Sequence, residues 1–83
     1  MLTIKVLGSG CANCQTLEAI ACRAVAGLGI DAQVIKVTEY AEITKYNILA
    51  TPGLVINEKV VSAGRIPSEA EITSFLTTAM VEA

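Results

Sequence analysis

Leu2-Thr3-Ile4-Lys5-Val6-Leu7-Gly8-Ser9-Gly10-Cys11-Ala12-Asn13-Cys14 is the segment that decides the fold. Leu2, Ile4, Val6 and Leu7 predict a short buried strand, and Gly8-Ser9-Gly10 ends it in a flexible loop. Beyond the loop the period changes. From Cys14 the apolar positions Leu17, Ile20, Ala21, Ala24, Val25 and Leu28 recur at spacings of three and four, leaving Glu18 and Arg23 toward solvent. This predicts a helix from Ala12 to Leu28, closed by Gly29 as the left-handed residue after its end. Ile30 to Val37 is rich in Val and Ile with Gln33 and Lys36 interspersed, the pattern of a strand near a sheet edge. Two strands joined by such a helix imply a right-handed parallel βαβ unit.

Working onward, Thr38 is read as the N-cap of a second helix over Glu39 to Tyr46, with Glu39 and Glu42 in its first turn and Lys45 toward its end. Ile48 to Thr51 is expected to be extended, because the residue before Pro52 is disfavoured in the helical region. Leu54-Val55-Ile56 and Lys59-Val60-Val61 flank Asn57-Glu58, which predicts an antiparallel hairpin with a two-residue turn. Ser68 and Glu71 form a capping box ahead of Ile72, Phe75, Leu76, Ala79 and Met80 at helical spacing. The resulting order βαβαββα is an α/β domain spanning residues 1–83, one sheet with helices on its faces. No repeat, low-complexity run or linker divides it.

Composition narrows the chemistry. The 83 residues are 53% hydrophobic and 17% charged, too apolar for a disordered chain. Six Lys plus Arg against eight Asp plus Glu give a net charge of −2, so neither nucleic acid nor an anionic membrane surface is an expected partner. The absence of histidine excludes Ser-His and Cys-His nucleophile pairs and His-ligated zinc. The N-terminus carries no targeting signal, so the mature chain is expected to start at Met1. The longest apolar tract, Ala19 to Ile30, is interrupted by Arg23 and is shorter than a membrane span, so a soluble protein is expected. Three cysteines cannot all pair within one chain, which favours a reducing, cytoplasmic home. A monomer is expected.

The site chemistry rests on Cys11 and Cys14. Cys11 precedes the first helix, where unpaired backbone N–H groups and the positive end of the dipole favour a thiolate. Lowering a thiol pKa from about 8.5 to about 7 takes roughly 2 kcal/mol, the upper range for a partly buried helix terminus. Cys14 lies one turn along, close enough for a disulfide and turned toward the protein. In the expected cycle, Cys11 attacks a substrate disulfide and Cys14 resolves the mixed disulfide. The competing reading is a pair of buried or incidental thiols. Cys22, flanked by Ala21 and close to Val25, is read as core filler. Tyr40 and Tyr46 are read as packing and surface residues, and Lys59 and Arg65 as solvated charges.

Taken together, Leu2 to Cys14, Thr51-Pro52-Gly53-Leu54-Val55-Ile56, and Lys59 to Arg65 before the capped last helix resemble the small thioredoxin-like or glutaredoxin-like redox-active disulfide proteins of archaea and bacteria. The resemblance covers essentially the whole chain. It implies a thioredoxin-like fold with a four-stranded mixed sheet in the order 2-1-3-4, a cis peptide between Thr51 and Pro52, and a role in cell redox homeostasis. It also implies that the Thr51-Pro52 loop packs against the cysteine pair, so that Gly10, Ala12, Asn13, Thr51 and Pro52 become substrate-binding residues beside the catalytic Cys11 and Cys14. The implied partners are a protein or low-molecular-weight disulfide and an upstream thiol reductant. No cofactor is assigned, glutathione included, and no metal.

The chain departs from better-known relatives in three ways. Gly10 stands where thioredoxins usually carry an aromatic residue, no proline separates the cysteines, and the second strand offers no buried acid to take a proton from Cys14. One alternative comes from another class: heavy-metal-associated domains of copper chaperones also carry C-x-x-C at the entry to their first helix, and two thiolates suit Cu(I). A non-catalytic domain binding As(III) is a third reading.

Overall fold

A computed structural model describes residues 2–8, 12–48 and 50–82. Its elements are β1 (Leu2–Leu7), α1 (Ala12–Leu28), β2 (Ala32–Val37), α2 (Tyr40–Thr44), β3 (Gly53–Ile56), β4 (Lys59–Ala63) and α3 (Glu69–Glu82). They form one four-stranded sheet in the order β2-β1-β3-β4. β1 pairs in parallel with β2 and antiparallel with β3, and β3 pairs antiparallel with β4 across an irregularity at Leu54/Val55.

Strand alternation sends successive side chains to opposite faces of the sheet. On one face Leu2, Ile4 and Val6 of β1 meet Leu54 and Ile56 of β3, and this layer is covered by Leu17, Ala21 and Ala24 of α1 and by Ile72 and Leu76 of α3. On the other face Leu7 and Val55 pack with Ile43 of α2 and the half-buried Val37, Tyr46 and Ile48. Two helices therefore cover one face and a single short helix the other. The smaller side is bordered by a polar cluster: the Lys5 ammonium donates to Tyr46 Oη at 2.9 Å and to Glu58 at 2.6 Å, and Tyr46 Oη donates to Glu58 at 3.1 Å.

Local signals act where the sequence places them. Gly29 takes φ +64° after α1. Asn57 and Glu58 both take positive φ, at 49° and 69°, as a tight two-residue hairpin requires. The Glu71 backbone N–H donates to Ser68 Oγ at 3.2 Å, and the Ser68 N–H donates back to the Glu71 carboxylate at 3.4 Å, completing the capping box.

Three expectations need correction. Thr38 does not cap α2: the N-cap is Glu39, in extended conformation, and it makes no side-chain cap bond. The helix is also shorter than Glu39–Tyr46, because after Thr44 the chain enters a turn and Asn47 adopts φ 56°, which no helix can continue. Met80, assigned to the buried stripe of α3, is 47% exposed, since it lies about 100° around the helix from Ala79, which packs on the core.

Candidate active site

Register brings the site together. Leu7 at the end of β1 sits opposite Gly53 of β3 and beside Val37 of β2, and the Gly8 N–H extends the parallel ladder to Val37 O at 3.0 Å. The chain therefore leaves β1 with Pro52 on one side and Thr38 on the other. Three segments distant in sequence meet at this edge.

Cys14 is the third residue of α1 and is buried, as expected. It packs directly on Gly8. A β-carbon at Gly8 would collide with Cys14 Sγ, and would stand 3.3 Å from Cys14 Cβ and 3.9 Å from Thr51 Cβ. Gly8 thus lies between the buried thiol and the Thr51-Pro52 segment, and its lack of a side chain lets the two approach.

The Thr51-Pro52 peptide is cis, as the resemblance implied. Pro52 is buried and its carbonyl accepts from the Gly64 N–H at 2.9 Å, which ties the loop to the end of β4, while Thr51 is exposed. Gly64 itself needs to be glycine, with φ +76° and Ala50 Cβ only 3.0 Å from where a side chain would begin. Ala12 and Asn13 are exposed at the start of α1. Gly10 and Cys11 lie outside the described residues.

A cavity of about 100 Å³ opens beside Cys14, lined by Val6, Gly8, Gln15, Lys36 and Thr38. Lys36 is the charged residue on this wall, and its ammonium stands 3.7 Å from the Glu18 carboxylate. No carboxylate is among the described lining residues. The first turn of α1 carries no acidic residue either, so nothing there offsets the positive end of its dipole.

Cys22 is not core filler. It is exposed, because the buried stripe of α1 runs through Cys14, Leu17, Ala21 and Ala24, and one residue beyond Ala21 turns the side chain about 100° around the helix. Tyr40 is 81% exposed and Tyr46 half-buried, matching their surface and packing assignments. Arg65 pairs with Glu71 at 2.9 Å on the surface. Among the described residues no group of three or more His, Cys, Asp or Glu side chains is placed to hold a metal ion, and no helix is long and apolar enough to cross a membrane.

Sequence reading missed the steric role of Gly8, which in a glycine-rich loop is indistinguishable from flexibility. It also missed Lys36 and Thr38 as walls of the Cys14 cavity, because only the β1–β2 register brings them there.

A sequence profile described as "thioredoxin domain" matches residues 2–77. A thioredoxin of Methanothermobacter thermautotrophicus is 42% identical over 76 residues, covering 92% of this chain and 99% of that protein. The chain belongs to the thioredoxin family. At family level its activity is thiol–disulfide oxidoreduction. A thioredoxin of Methanocaldococcus jannaschii is likewise 42% identical, over 73 residues that cover 87% of this chain and 83% of the relative. Among solved structures, the oxidised thioredoxin of Plasmodium falciparum superposes with a TM-score of 0.64 at 19% identity, over 94% of this chain and 80% of that one. Thioredoxin 1 of Thermosipho africanus gives 0.59 at 19% identity, over 95% and 94%. These two share the thioredoxin fold with this chain. The helix after β2 and the Thr51-Pro52 loop set it apart from heavy-metal-associated domains, and the copper-chaperone alternative finds no support.

Proposed function

We propose that this member of the thioredoxin family reduces disulfides by cycling a Cys11–Cys14 pair. The Cys11 thiolate attacks one sulfur of a substrate disulfide, forming a mixed disulfide and releasing the first substrate thiolate, which takes a proton from water. Cys14, after losing its proton, attacks the Cys11 sulfur. The second substrate thiolate leaves, and a Cys11–Cys14 disulfide remains. Two electrons have passed to the substrate, and an upstream dithiol returns them.

The observation that carries this reading is the packing of Cys14 on Gly8 beside Thr51, in a first helical turn that carries no acidic residue. A resolving thiol needs shelter from outside partners and proximity to its sibling. Burial supplies the first and the three-residue spacing the second. Thr51, exposed near Cys14, offers an edge for a substrate segment, and Pro52, Gly10, Ala12 and Asn13 are the other residues proposed to bind it. Lys36 stands on the wall of the Cys14 cavity, with its ammonium 3.7 Å from the Glu18 carboxylate. A single cytoplasmic domain acting as a monomer, without a cofactor, completes the proposal.

The test is a redox-buffer titration followed by substrate trapping. The reading requires a reversible intramolecular disulfide, loss of reductase activity in Cys11→Ser, and accumulation of mixed disulfides in Cys14→Ser. If wild-type protein forms no disulfide under oxidising conditions, the proposal is wrong.

A further inference from the structure

A second, larger recess opens between the β3–β4 hairpin and the later turns of α3. Its volume is about 360 Å³, within the range of sites that hold small ligands. We infer that this recess binds a small organic acid with an apolar, aromatic body. Ile56, Val61, Phe75 and Ala79 receive the body, while Asn57, Lys59 and Thr78 supply donors for its carboxylate. The site is separate from disulfide exchange, because Ile56 and Asn57 lie at the end of β3 opposite Gly53, which borders the Cys14 region.

Shape is the first argument. Phe75, Thr78 and Ala79 are three and four residues apart, so they form one stripe along α3. The helix closes on the sheet through Ile72 and Leu76, both fully buried. One turn later the short side chains of Thr78 and Ala79 leave space over the hairpin. Ile56 is buried, and Val61, Phe75 and Ala79 are half-buried, so the space has an apolar floor and walls. An aromatic ring seated there gains the dispersion contacts these atoms lack, and it can pack against the Phe75 ring.

Charge is the second argument. Lys59 is the register partner of Ile56, which places it on the sheet face that α3 covers. Asn57 Oδ1 accepts the Thr3 N–H at 3.1 Å, and the donors of the same amide remain for a ligand oxygen. Thr78 adds a hydroxyl. No carboxylate is among the described lining residues, and the neighbouring Glu58 is hydrogen-bonded to Lys5 and Tyr46. An apolar recess bordered by one ammonium and neutral donors complements an anion and repels a cation.

The test titrates 4-phenylbutyrate into the isotope-labelled full chain and follows backbone amides by NMR, with 4-phenylbutan-1-ol and 4-phenylbutylamine as neutral and cationic counterparts. Saturable shifts are expected at Ile56, Val61, Phe75 and Ala79, with a Kd on the order of 1 mM for a ligand of this size. At low salt the acid should bind about threefold or more tightly than the alcohol, and the amine more weakly than either. Lys59→Gln should bring the acid and the alcohol to nearly equal affinity without moving the site. Thr78→Trp, at an exposed position, should fill the recess and abolish the shifts. Reductase turnover should be unchanged in both variants, which also shows that they are folded.

Absence of saturable shifts at these four residues, or stronger shifts elsewhere in the chain, overturns the site. Equal affinity for acid and alcohol in wild type, or a preference for the acid that survives in Lys59→Gln, overturns the assignment to a carboxylate. The readout does not depend on disulfide exchange.

Discussion

The Cys14 sulfur fills the space into which residue 8 would project a β-carbon, making Gly8 and Cys14 a steric pair across the end of β1. Gly8 is outside the left-handed region of backbone space, so its requirement for glycine is purely one of room. Gly8→Ala must displace the thiol or the loop. The variant is expected to lose about 1–3 kcal/mol of stability, the usual cost of overpacking. Urea unfolding measures that cost, and alkylation of the native protein should find Cys14 more reactive than in wild type. Unchanged stability with a still-protected Cys14 would contradict the packing.

Lys36 offers a test of electrostatics at the same cavity. Replacing its ammonium by the neutral side chain in Lys36→Met should slow resolution of a Cys11-linked mixed disulfide by about threefold at low salt, and the difference should shrink as salt screens the charge. Lys36→Arg should keep most of the wild-type rate. Stopped-flow measurement of product release after mixed-disulfide formation reads this step directly.

Two exposed carboxylates predict how stability responds to acid. The Lys5 ammonium, hydrogen-bonded to Glu58, holds that carboxyl below its ordinary range, with Tyr46 adding to the effect. The same hydrogen bond, with that to Tyr46, raises the Lys5 pKa above its usual value. Arg65 does the same for Glu71, helped by the Ser68 backbone N–H. A carboxyl with a lower pKa in the folded state stabilises the fold above its unfolded pKa of about 4.3 and loses that contribution as pH falls through the folded value. Urea midpoints should therefore fall as pH drops below about 4, and the double variant Glu58→Gln/Glu71→Gln should show a shallower decline. Equal slopes for variant and wild type would show that these pairs do not carry the acid dependence.

The capping box is testable on its own. Ser68→Ala removes the acceptor for the Glu71 N–H and should cost about 1 kcal/mol in urea unfolding.

Because Cys22 is exposed, Cys22→Ser should change stability by less than about 0.5 kcal/mol and leave reductase turnover intact. In the native protein Cys22 should alkylate readily while the buried Cys14 stays protected, as peptide mapping by mass spectrometry would detect. A protected Cys22 would reinstate it in the core.

Much of the fold was legible along the chain because its signals act over a few residues. The span of α1, the left-handed Gly29, the Asn57-Glu58 turn and the Ser68–Glu71 box each depend on neighbours within about one helical turn. Cys22 was misread because apolar spacing leaves the edge of a stripe undefined by one position, and only the packing of α1 on the sheet and α3 fixes its rotation. Thr38 was misread because capping depends on where the turn begins, and here β2 holds its neighbour Val37 in the ladder to Leu7.

The linear order of residues alone determined the βαβαββα succession and the placement of two cysteines at the entry to the first helix, since both follow from local periodicity and turn chemistry. The family resemblance supplied the strand order. Tertiary structure decided that Gly8, Cys14 and Thr51 share one point and that Lys36 and Thr38 wall the thiol. Those contacts join segments far apart in the chain, and the registers Leu7 to Gly53 and Leu7 to Val37 that bring them together are chosen by burial of both sheet faces at once.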